Sequence, residues 1–180
     1  MATSPNPRDA DGPVGDRLQP ALLDRLTDDE PDKATEPLEA AAMTRSRLRR
    51  AVLRDIAWIL NTSNLEGEAP FESFPQARVS VVNFGVPPLS GRRITDIDWH
   101  VLEQSIRDAV IAFEPRVLPH TLEVRVQATD AGIHHHNILA FEIRGQLWSL
   151  PYPIELLLRS NLDVESGHVV LFEQSASTKT

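Results

Sequence analysis

The 180-residue chain contains no cysteine. That excludes a disulfide framework, a thiol nucleophile, a thiolate zinc site and an iron–sulfur cluster. Any catalysis is left to carboxylates, histidine, serine or lysine. Lysine is itself scarce: of 18 basic residues only Lys33 and Lys179 are lysines, so cationic contacts fall to the planar guanidinium fork of arginine. The 8 glycines are scattered, and neither G-x-G-x-x-G nor G-x-x-x-x-G-K-S/T occurs, which argues against nucleotide binding. No apolar run approaches the ~20 residues of a membrane-spanning helix. Met1-Ala-Thr-Ser-Pro5 lacks the basic start and apolar middle of a secretory signal. These absences predict a soluble cytoplasmic protein without membrane insertion. A net charge of −8 argues against general nucleic-acid affinity.

What is present divides near residue 40. Residues 1–40 hold 6 of the 14 prolines, 10 acidic and 4 basic side chains and no aromatic residue. Such a stretch cannot bury enough apolar area to offset chain entropy and reads as a disordered acidic tail. Within it, Pro20 to Leu26 can form a transient amphipathic helix on Leu22, Leu23 and Leu26. Residues 41–174 read as the folded domain and 175–180 as a disordered end.

The first element of the domain is a helix over Met43 to Leu60, with Leu48, Val52, Ile56 and Ile59 on one stripe. Arg47, Arg50 and Arg54 line the opposite side. Such a strip suits either a nucleic-acid partner or a solvated face that pairs with the acidic tail, and it lacks the aromatic interleaving of a single-strand binder. Arg78 to Pro88 reads as a strand or extended segment stopping in a turn. A second helix opens at Thr95-Asp-Ile-Asp98, which resembles a capping box, and carries Trp99, Leu102, Ile106, Ala109, Val110 and Phe113 on one face. Pro115 disfavours helical geometry at Glu114 and ends it. Leu122 to Ala128 alternates as a half-buried strand. Asn137 to Arg144 follows, then Gly145 and Gln146 to Leu150, with shorter extended pieces over 154–172. The class is α+β: two long amphipathic helices packed on a mostly antiparallel sheet.

The chemistry-bearing candidates are few. His134-His-His136 beside a turn could share a metal with Asp130, but no H-E-x-x-H spacing supports a site and no cofactor is expected. Its alternatives are an exposed loop cluster or a pH-dependent contact. Ser80 and Ser90 lack a nucleophile elbow. Glycoside hydrolysis needs two carboxylates across a cleft; Glu114 is the candidate acid, with Asp98, Asp130, Glu142 or Asp163 as partners. In Glu114-Pro115-Arg116 the proline holds the backbone extended, so the carboxylate and the guanidinium emerge on one side just past a helix end. This doublet can either tie the helix to the sheet or present itself to a protein partner.

The ordered set Leu60-Asn-Thr, Ser80-Val-Val-Asn-Phe-Gly-Val-Pro, Phe113-Glu-Pro-Arg, Phe141-Glu-Ile-Arg-Gly and Asp163-x-x-x-Gly167 resembles the TssE family. These are small baseplate subunits of bacterial type VI secretion systems, similar to the wedge protein of contractile-tailed phages. The resemblance implies a structural, non-enzymatic role in the baseplate wedge with TssF and TssG, and through them TssK, and templating of the TssB/TssC sheath. It associates Glu114, Pro115 and Arg116 with docking in the wedge, so that Arg116→Glu abolishes wedge association while leaving the fold intact. It also implies assembly at the inner face of the cytoplasmic membrane. Two other classes remain open: an anti-adaptor-like regulatory binding protein of the same fold, and a peptidoglycan hydrolase.

Overall fold

A computed structural model describes residues 20–27, 31–32, 43–68, 71–89, 97–127 and 138–174. Its helices are α1 (Leu22–Leu26), α2 (Arg45–Leu60), α3 (Pro75–Arg78) and α4 (Trp99–Phe113). The strands β1 (Glu123–Gln127), β2 (Ile138–Leu147), β3 (Ile154–Asp163) and β4 (Val169–Glu173) form one antiparallel sheet in the order β1-β2-β3-β4. One face of this meander is covered by the two long helices, α4 over β1 and α2 over β4, with α2 touching α4.

The α2 stripe lies inside: Leu48, Val52, Ile56 and Ile59 are all buried. They meet Leu102, Ile106 and Val110 of α4 and the inward residues of the sheet, Val124, Leu139, Phe141, Ile143, Leu156, Leu158 and Leu162, in one core. Thr44 caps α2 by accepting from Arg47 N at 3.2 Å. Asp98 caps α4 by accepting from His100 N at 2.9 Å and Val101 N at 3.3 Å. Asp98 is therefore the cap residue itself and not the third helical position of a box; Thr95 lies outside the described residues. Trp99, expected on the core face, is 37% exposed at the first turn of the helix.

Two other readings are corrected. Arg78 to Asn83 is not extended: α3 ends at Arg78, and Val81–Asn83 is a turn of 3-10 helix before the chain straightens at Phe84. The alternating valines have no apolar partner, and Val79, Val81 and Val82 stay exposed. Polar groups win locally: Ser80 Oγ accepts from Val82 N, and the buried Asn83 side chain donates to Arg78 O and accepts from Leu65 N, both at 3.0 Å. Gly145 does not break its strand either. It pairs with Leu156 inside a continuous ten-residue β2, and a Cβ there would meet Leu122 only at an ordinary 3.5 Å.

Several residues of the ordered set prove to be joints. Thr62 O accepts from Val86 N and Val86 O from Asn64 N, both at 2.9 Å, which fastens the end of α2 to the segment after Gly85. Gly85 sits at φ +113°, and a Cβ there would lie 2.1 Å from Thr62 O. Asn61 clamps the start of β4, donating to Val169 O and accepting from Val169 N at 2.9 Å. Asp163 folds the β3–β4 turn by accepting from Glu165 N, and Gly167 completes it at φ +73°.

Gly85→Ala is expected to cost at least about 2 kcal/mol, since it adds both a strained φ and a backbone clash. Urea denaturation measures it, and an unchanged midpoint would show that the Thr62–Gly85 crossing relaxes freely.

Candidate functional site

The helix α4 ends where Pro115 forces it to, and the capping residue Glu114 drops its side chain into the protein, 1% exposed. A carboxylate there needs a cation and hydrogen-bond donors. Arg116, two residues on, supplies both. Glu114 Oε1 accepts from Arg116 N at 3.1 Å and from Arg116 Nε at 2.6 Å, and Oε2 accepts from Arg116 Nη2. The same Nη2 donates to Asp55 Oδ2 on α2. Asp55 Oδ1 accepts from Arg54 Nε at 2.8 Å, and Arg54 Nη1 donates to Asp24 Oδ1 of α1 at 2.7 Å. Five side chains of alternating sign, Glu114, Arg116, Asp55, Arg54 and Asp24, thus run from the end of α4 across α2 to α1. Arg54 also lies over the Trp58 ring, 5.1 Å from its centroid.

The backbone locks the same place. Trp148 N donates to Arg116 O and Leu118 N to Gln146 O, both at 2.8 Å. Residues 116–118 therefore extend the sheet beside the end of β2, with Val117 bridging Leu147. Burial opposes the Arg116 charge, but the hydrogen bonds and charges of Glu114 and Asp55 outweigh it and hold the guanidinium pKa above its usual value. Within the chain the doublet forms an internal tie. Glu114 is inaccessible to a partner, and Arg116 keeps a side chain 21% exposed. Arg116→Glu would confront Glu114 and Asp55 with a third carboxylate and is therefore expected to destabilise the fold.

The other candidates are scattered. Asp98 caps the opposite end of α4, roughly 24 Å from Glu114 at 1.5 Å per residue. Asp163 sits in the β3–β4 turn, and Glu142 lies on the outer face of the sheet. Glu142 is buried, 3% exposed, among side chains of its own and both neighbouring strands: it accepts from Arg144 Nε and from Gln127 Nε2 at 3.1 Å, and Arg159 Nε lies 3.5 Å away. The bond from Arg144 holds its carboxyl below the usual range against the opposing effect of burial. None of these carboxylates shares a cation with Glu114; the one that does is Asp55, which sequence spacing missed because it lies 61 residues from Arg116. Asp130, Ser90 and His134 to His136 lie outside the described residues. Among the described residues no three His, Asp or Glu side chains are grouped to hold a metal.

Among the described residues, the sequence-predicted carboxylates form no pair across a cleft with Glu114, and the site is a part-buried ion network on an α+β domain. The sequence profile of the baseplate wedge protein gp25 matches residues 46–152. The chain belongs to this family, which is also the family of TssE, and its members are structural parts of phage-tail-like baseplates. No curated protein and no solved structure matches the chain. No helix among the described residues is long and apolar enough to cross a membrane.

Glu114→Ala is expected to cost about 2–4 kcal/mol in thermal or urea unfolding, since it strips the acceptors from a half-buried guanidinium. A loss below about 0.5 kcal/mol would show that Asp55 alone suffices. The lowered carboxyl pKa of Glu142 gives stability that is complete above the normal carboxylate pKa and disappears as pH falls through the lowered folded value. Glu142→Gln is therefore expected to flatten the acid limb of a stability–pH curve, and an unaltered limb would exclude the group as its source.

Proposed function

We propose that this chain is the TssE-type wedge subunit of a type VI secretion baseplate. It docks with TssF and TssG, and through them TssK, at the surface around Arg116, and offers its sheet as the first template for the TssB/TssC sheath. In that assembly it sits at the inner face of the cytoplasmic membrane without entering it. The observation that carries the reading is the gp25 family match, together with the residues of the resemblance, several of which form structural joints.

Two features of the geometry support the finer roles. Around Arg116, whose side chain is 21% exposed, Asp55 and Arg54 are held by ion pairs, so docking against these already oriented side chains costs little side-chain ordering. In the sheet, the two edges differ. At β1, Glu103 Oε1 of α4 accepts from Val126 N at 2.7 Å and Arg107 Nε donates to Leu122 O at 3.3 Å, so side chains of α4 occupy two backbone groups on that edge. At β4, Asn61 occupies both groups of Val169, while antiparallel alternation turns the N–H and C=O of Leu171 and Glu173 away from β3. An incoming strand has its free hydrogen-bonding groups at that edge.

Co-expression of the full chain with TssF and TssG tests the reading. Arg116→Lys keeps a cation beside Glu114 but loses the fork, and is expected to lower complex recovery at least tenfold with the chain still folded. Leu171→Pro removes an outward N–H that the sheet does not use and is expected to spare the wedge complex while blocking sheath initiation. Wild-type levels of complex for the Lys variant would leave Arg116 as an internal tie only. Failure of the wild type to bind would overturn the wedge assignment.

A further inference from the structure

The helix α1 is seated inside out. Its one carboxylate faces the protein, with the Asp24 side chain 15% exposed against Arg54, while Leu22 and Leu26, one turn apart on a single face, are 70% and 74% exposed and Leu23 is 41% exposed. A five-residue helix is far too short to persist unaided. Its ends are held by local bonds, Ala21 O accepting from Arg25 N at 3.1 Å and Leu23 O from Thr27 N at 3.0 Å, and its place on α2 by the Asp24–Arg54 pair. Its leucines do not hold it there. A cleft of about 210 Å³ remains between α1 and α2, bordered by Met43, Arg47 and Arg50, so the helix stands off the body with its apolar side outward.

A leucine pair one turn apart is the anchor pattern of a helix that lies in an apolar groove. The flanking charge states what rims that groove. From Pro20 to Asp32 the sequence holds five acidic residues and one basic residue, and one of the five, Asp24, is already engaged by Arg54. The remaining four follow the leucines as Asp28-Asp29-Glu30 and Asp32. Charge complementarity therefore selects a groove edged by arginine or lysine.

We propose that α1 is a displayed docking element, held in register by Asp24 and Arg54, whose Leu22 and Leu26 enter an apolar, basic-rimmed groove on a neighbouring baseplate subunit. The inference rests on the baseplate reading above and adds a second contact, separate from Arg116.

The test uses the full chain co-expressed with TssF and TssG. Leu22→Ala with Leu26→Ala is expected to leave the thermal midpoint within about 2 °C of wild type, since exposed side chains away from the core contribute little to stability, and to reduce complex recovery at least tenfold. A synthetic peptide of residues 18–32 is expected to compete with the wild-type chain, and its double-alanine version is not. Undiminished recovery of the variant together with no competition by the peptide overturns the inference and leaves the baseplate reading standing. A wild-type chain that binds neither subunit overturns both. Leucine-dependent dimers of the chain alone in sedimentation assign the leucines to a second copy and overturn the stated partner.

Discussion

A carboxylate buried to 1% exposure at the end of a helix is the constraint around which this structure is arranged. Unpaired, a buried carboxylate at Glu114 would cost several kcal/mol. Pro115 removes the freedom to turn it outward, so the compensating cation must come from the adjoining segment. Arg116 meets that demand with backbone and side chain together, and in doing so it is drawn against Asp55 of α2 and pinned to Trp148 N at the end of β2. One charge requirement thus fixes the relative positions of both long helices and the sheet. Apolar packing, which is non-directional, supplies most of the cohesion but would not by itself choose that arrangement.

The sequence shows the large elements because they obey single periods. Leu48, Val52, Ile56 and Ile59 repeat as a helix must, and Leu139, Phe141 and Ile143 alternate as a strand must, and all seven are buried. Legibility fails where local polar chemistry or distant neighbours decide. The valines of 79–82 alternate like a strand, yet Ser80 and Asn83 offer the backbone closer partners and coil it. Gly145 reads as punctuation, but β2 continues through it because its neighbours Leu156 and Leu122 tolerate a missing side chain.

The site was half legible for the same reason. Glu114 and Arg116 are two residues apart, and the extended proline between them announces their pairing. Asp55 and Arg54 sit on a helix whose polar side offers many charges, and nothing in their spacing distinguishes the ones that reach Arg116 and Asp24. Glu142 is likewise hidden: its position two residues before Arg144 suggests a surface pair, whereas Arg159 and Gln127 reach it from the neighbouring strands and close over it. The burial of a charge is a property of the assembled sheet.

The asymmetry of the sheet edges bears on how a wedge protein can start an assembly without becoming one. A sheet with two open edges can add copies of itself indefinitely, and natural proteins suppress this by covering or charging their edges. Here α4 covers β1 with Glu103 and Arg107, while β4 keeps two outward residues after the Asn61 clamp. Under the proposed role, strand addition is favoured at β4, while α4 side chains hinder it at β1. Self-association through that edge stops at a pair, whereas a partner that carries its own second edge can continue. Under the proposed role, this asymmetry would let the subunit begin a strand-linked polymer of a different protein and remain outside it, the division of labour the proposal assigns to wedge and sheath.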